Sequence, residues 1–192
     1  MRWSHRRAIL AGSVCALAAT VGWALPAAAA TGTASISAGT LFFVTTPPNV
    51  TFSVTLNGLD QTSTAAEAID VGDATGSGTG WNLTATSTTF TCAPASCGVT
   101  RYLSTSATTL AGAPTATCDG GSSCALPSNA VPYPYTMPAG LFAPLATKFF
   151  DATANSGMGD QTVTPTWSLS VPATTYAGTY TSTWTISLVS GP

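Results

Sequence analysis

Four cysteines, Cys92, Cys97, Cys118 and Cys124, are the residues of this chain whose type and spacing most readily suggest chemistry, because thiols can bridge, ligate metal or act as nucleophiles. Zinc sites use thiolates at compact spacings, often with His, whereas here the intervals are four, twenty and five residues and the single histidine is His5, near the start of the chain. An even number of cysteines in an exported chain points instead to two disulfides. Of the three possible pairings, the sequential one (Cys92 with Cys97, Cys118 with Cys124) is favoured, and the nested one (Cys92 with Cys124, Cys97 with Cys118) is the next. Either staples the region of residues 88–130. The fifth cysteine, Cys15, falls in a leader segment.

Catalytic constellations are scarce. Once the leader is removed no His remains, so Ser-His-Asp and Cys-His arrangements cannot be built. Lys148 is the only lysine and lies in a stretch that reads as an amphipathic helix, where it is solvated. A pair of carboxylates can hydrolyse a glycosidic bond, and Asp70 with Asp73 is the nearest pair. Both precede a Gly-rich stretch, where Asp commonly caps turns. The same acidic loop lacks the dense alternating carboxylates of a calcium site. The expectation is a protein that is not an enzyme and has no cofactor, no metal and no catalytic residue.

The first thirty residues read as a signal peptide: a basic stretch Met1–Arg7, an apolar run Ala8–Leu25, and a small-residue cleavage site Ala28-Ala29-Ala30 before Thr31. Arg6-Arg7 leaves the twin-arginine route open beside the general one. No later apolar stretch approaches the roughly 20 residues that span a bilayer, so no membrane association is expected after cleavage. In residues 31–192 two basic side chains, Arg101 and Lys148, stand against seven acidic ones, a formal charge of −5. Nucleic acid and anionic lipid surfaces both require clustered Lys and Arg, which excludes them as partners.

The elements that must position these residues are strands. Apolar residues alternate with Thr and Ser at period two over Ser35–Val44, Val50–Leu56, Trp81–Ser87, Val163–Val171 and Thr179–Val189. Pro47-Pro48-Asn49, the Gly-rich run from Thr75 to Gly80 and the Asp119–Ser123 stretch are turns or loops. Only Leu141–Ala154, with Phe142, Leu145 and Phe149 near helical spacing, reads as a helix. Short strands without interleaved helices predict an all-β, Ig-like or Greek-key sandwich with a disulfide-stapled insertion and at most one short helix. A chain of this length can bury roughly 70% of its unfolded surface, enough for one core.

Two of those strands carry a Trp-x-aliphatic pattern: Trp81-Asn82-Leu83, and Trp184, Ile186 and Leu188 preceded by Tyr180. With the segment Ala154–Gly159 and the closing run Val171–Tyr180, they make the chain resemble the WxL domain, a bacterial surface domain. The order in the last strand departs from the family pattern, because Ile186 stands where the family has Trp and Trp184 where it has an aliphatic residue. Positions 184 and 186 share a face, so the exchange leaves the fold expectation intact.

The resemblance implies one WxL-like domain over residues 31–192, with an insertion at about 88–130. It implies a secreted, wall-associated protein that binds peptidoglycan, or another surface protein, without covalent attachment. Trp81, Leu83, Tyr180, Trp184, Ile186 and Leu188 are the ligand-binding candidates it supplies. Tyr133 and Tyr135, in an alternating Pro-Tyr segment, form a second candidate aromatic platform. Trp184 is expected in the core, and Trp81 is expected to be the better contact for a sugar ring. A different expectation is a subunit of a pilus-like or fibrillar assembly, in which an N-terminal strand within Thr31–Val44 is donated to a neighbour.

Overall fold

The computed structural model describes residues 30–192, so the leader read over residues 1–30 lies outside the described residues except for Ala30. The fold is that of Ile36–Pro192. It is built almost wholly of strands: β1 (Leu41–Phe43), β2 (Gln61–Ala66), β3 (Ile69–Asp73), β4 (Trp81–Thr88), β5 (Thr91–Cys92), β6 (Arg101–Tyr102), β7 (Thr108–Leu110), β8 (Thr115–Cys118), β9 (Tyr135–Thr136), β10 (Ala139–Gly140), β11 (Thr147–Ala152), β12 (Gly159–Thr164), β13 (Thr166–Val171), β14 (Tyr180–Thr181) and β15 (Trp184–Ser190). Among the described residues the single short helix, α1 (Pro94–Cys97), lies inside the first disulfide loop.

One layer of the sandwich consists of two sheets joined end to end, β1-β3-β12-β8 and β2-β13-β7-β9. Pro165 explains the joint. It has no N–H to give a ladder and interrupts the run from β12 to β13, while its carbonyl accepts a bond from Glu67 N–H at 3.0 Å. The facing layer is centred on β4, with β15 along one edge and β11 and then β10 along the other. Between the layers lie Ile69, Val71, Trp81, Leu83, Phe149, Phe150, Val163 and Trp167, all buried. A small sheet, β14-β5-β6, sits beside a second cluster of Leu103, Ala107, Leu169 and Val171.

Both disulfides adopt the sequential pairing, Cys92–Cys97 and Cys118–Cys124. The stapled region does not stand apart from the sandwich: β7 pairs with β13, and β8 with β12.

The helix expected over Leu141–Ala154 is absent. Thr147–Ala152 is strand β11, and a bulge between Lys148 and Phe150 turns both Phe149 and Phe150 into the core. Two successive buried aromatics break the period-two signal and mimic helical spacing. Leu141, Phe142 and Leu145 sit on the loop before β11, exposed by 69%, 91% and 88%. Lys148 is therefore on a strand and pairs with Asp151 at 3.6 Å.

Val50–Leu56, expected as a strand, has the predicted alternation, with Val50, Phe52 and Val54 half-buried and the residues between them exposed. It joins no sheet. Of Ser35–Val44, only Leu41–Phe43 is strand, paired with β3, and backbone bonds from Gly39 and Thr40 to Ala74 and from Val44 to Asp70 extend the contact at either end.

Candidate functional site

The two Trp-x-aliphatic strands are neighbours. β15 runs antiparallel to β4 with Leu188 opposite Leu83, Ile186 opposite Ala85 and Ser190 opposite Trp81. Their apolar faces point into the same core, which settles the role of several candidates.

Trp81 and Leu83 are completely buried. The Trp81 indole N–H donates to the Gly157 carbonyl at 2.8 Å, and its ring lies against Phe150. Gly157 has φ +72°, and a Cβ there would come within 2.6 Å of the indole nitrogen and 2.4 Å of the Ala152 Cβ. The Ala154–Gly159 segment is thus a cradle for an interior indole. Trp81 cannot be the sugar contact expected of it.

Tyr133 and Tyr135 form no exposed platform either. Tyr135 is buried against Phe149 and Trp167. The Tyr133 hydroxyl donates to the Phe149 carbonyl at 2.6 Å and accepts from Asn129 Nδ2 at 3.0 Å. Burial pushes both phenols above their ordinary pKa. The segment is not extended throughout: it bends at Tyr133-Pro134, where the peptide bond is cis, and only Tyr135–Thr136 is strand.

Tyr180, Trp184, Ile186 and Leu188 remain half-buried. Tyr180, Trp184 and Ile186 line a groove of about 1180 Å³. One bank is the unpaired segment Thr46–Leu56, and the other is Thr179–Ile186. Phe90, Leu103, Leu169 and Val171 line its depth. Phe52 reaches the opposite bank, its ring 6.3 Å from Trp184 and 6.2 Å from Phe90. Trp184 in turn packs edge-on against Trp167 at 5.3 Å.

Both banks present free strand edges. Gln61 Nε2 and Ser63 Oγ on β2 donate to the carbonyls of Thr55 and Ser53, at 3.0 and 3.1 Å, which holds the segment beside β2 through side chains. Among the described residues, Val50–Leu56 makes no backbone–backbone hydrogen bond. On the other bank, Thr88 N–H bonds the Thr183 carbonyl and Gly191 N–H the Gly80 carbonyl. In an antiparallel pair these bonded positions alternate with unbonded ones. The odd-numbered residues of β15 therefore face β4, and Trp184, Ile186 and Leu188 turn their N–H and C=O toward the free edge.

One charged group lines the groove, and residue-by-residue reading of the sequence missed it. Glu67 is 3% exposed and accepts the Trp167 indole N–H at 2.7 Å. Loss of water raises its pKa to about 7, against the lowering effect of the indole bond. The signal was parity: Gln61, Ser63, Ala65 and Glu67 share the inward face of β2 and its extension. No large apolar residue marked that face as inward.

On the outer face of the other sheet, Asp70, Asp119 and Asp160 bring carboxylate oxygens within 4.8 Å of one another. Desolvation and the two neighbouring carboxyls raise the pKa of Asp70. Thr162 Oγ1 donates to Asp119 at 2.7 Å, while one oxygen each of Asp70 and Asp160 is buried without a partner. This is the grouping among the described residues whose oxygens could ligate a hard cation; a shared proton relieves the same repulsion. Asp73 takes no part: it caps the following turn, accepting from Thr75 N–H at 3.0 Å and Thr75 Oγ1 at 2.7 Å.

Comparison with protein-family models, with curated proteins and with solved structures finds no match.

Proposed function

We propose that this is an exported, non-catalytic surface protein that works by association, taking an extended polypeptide strand into the groove between Val50–Leu56 and β15 as a subunit of a surface assembly. The observation that carries this reading is the pair of free strand edges facing one another across an apolar groove. Added strands gain affinity from main-chain hydrogen bonds and specificity from alternate side chains entering pockets. Both are on offer here: unpaired N–H and C=O groups at Trp184 and Ile186, and an apolar interior at Leu169 and Val171. The two disulfides fit an oxidising location. Light scattering on the exported protein across a concentration series tests the reading. Concentration-dependent oligomers are expected; a monomer at every concentration contradicts it.

The second reading is non-covalent binding of peptidoglycan, in keeping with the WxL resemblance. The rings of Phe52, Phe90 and Trp184, with Thr51, Ser53 and Thr183 at the rim, offer stacking and hydroxyl contacts to a sugar chain. Under this reading, isolated walls retain the protein as a monomer.

A further inference from the structure

The groove needs an occupant that is extended, uncharged and alternating, with small or aliphatic residues on one face. Its unpaired bank Val50–Leu56 is seven residues long, roughly 20 Å at strand rise. The chain itself carries a segment of this description. Thr33-Ala34-Ser35-Ile36-Ser37-Ala38 alternates hydroxyls with Ala, Ile and Ala, has no charge, and at six residues spans a similar length. None of these residues belongs to a strand, every residue from Ala30 to Thr40 is exposed, and Ile36 is 94% exposed. The sandwich does not need them as its first strand, since the backbone bonds along β3 and its continuation at Ala74 begin only at Gly39, after this segment.

Charge argues in the same direction. The sole Asp, Glu, Lys, Arg or His side chain lining the groove is Glu67, already buried and bonded to Trp167, so a strand carrying Lys or Asp would find no exposed counter-charge there. A segment of Thr, Ser, Ala and Ile meets no such penalty. One chain thus holds both an unpaired segment with a strand's alternation and a strand-length groove between two free edges. Such a head-to-tail contact is heterologous and propagates into filaments unless its rotation closes a ring.

From this we infer that residues 33–38 of a second copy of this chain are the strand that enters the groove, pairing its backbone with the free edge of β15 and directing Ile36 toward Leu169 and Val171. The inference rests on the strand-accepting reading of the groove and on removal of the leader.

The test uses the exported protein, its Ile36→Asp variant, and a synthetic peptide of residues 31–40. Because Ile36 is solvent-exposed in the single copy, the substitution leaves the fold undisturbed, as a circular-dichroism melt can verify. The parent should self-associate, and Ile36→Asp should weaken association at least roughly tenfold, since it places a carboxylate in the apolar interior. The monomeric variant should bind the peptide, with a change in Trp fluorescence from Trp184. A peptide N-methylated at Ile36 and Ser37 should not bind, because strand addition requires the backbone N–H. If the parent and Ile36→Asp associate equally, residues 33–38 are not the occupant, and the inference fails while the strand-accepting reading of the groove stands. Equal binding of the methylated peptide overturns strand pairing itself. A parent that stays monomeric overturns both the inference and the reading beneath it.

Discussion

A carboxyl that loses its hydration on folding without gaining a cation favours its neutral form, and Glu67 is held in that position, bonded only to the Trp167 indole. Its pKa rises on folding from the ordinary 4.5 to about 7. The folded state then binds more protons than the unfolded state between those two values, so stability is full below about pH 4.5 and falls as pH rises toward 7. The loss amounts to roughly 3 kcal/mol at one pH unit per 1.4 kcal/mol. Urea denaturation at pH 5 and pH 8 should show the parent less stable at the higher pH, and Glu67→Gln should flatten the difference. Gly157 offers a second check. Gly157→Ala forces a side chain onto φ +72° and into the Trp81 indole, and should lose about 2–5 kcal/mol in the same measurement. Neither site was legible in the sequence. Glu67 follows a strand, Gln61–Ala66, with no large apolar residue to mark its inward face, and the indole that requires Gly157 lies 76 residues away.

At the scale of elements, although β4, central in its layer, is buried on both faces, the strands at Trp81–Thr88 and Trp184–Ser190 were legible from the period-two alternation of their apolar and polar residues. β11 was not, since its bulge buries Phe149 and Phe150 together and imitates a helical stripe. Val50–Leu56 shows the opposite case: alternation reports burial of one face, and carries no information about whether a neighbouring strand is there to pair. The even number of cysteines after Cys15 indicated two bridges, and the pairing found is the sequential one that was favoured. Closing the loop from Cys92 to Cys97 contributes about 2 kcal/mol in the chain-entropy account. The Cys92→Ala/Cys97→Ala double variant should therefore melt lower yet retain its far-UV signature. Native protein should show no thiol reactive toward Ellman's reagent; two or more per molecule would contradict the bridges.

At the scale of the whole molecule, a chain with a formal charge of −5 over residues 31–192 is repelled by its own copies and by polyanionic wall polymers. Association through the groove then depends on apolar burial and backbone hydrogen bonds, which salt does not screen. Oligomer formation should hold or strengthen between roughly 0.01 and 0.5 M salt, a range over which the Debye length shrinks from about 30 Å to below 8 Å. A steep decline, read by light scattering, would mean that charge pairing dominates. The most direct measurement is amide hydrogen exchange on the associated protein against the monomer, read at Val50–Leu56 and at the even-numbered amides of β15. Strand addition predicts slowed exchange at Trp184 and Ile186, whose N–H groups face the groove, with odd-numbered neighbours unchanged because β4 already protects them. Equal exchange at Trp184 and Ile186 in both states would contradict the groove as the site of association.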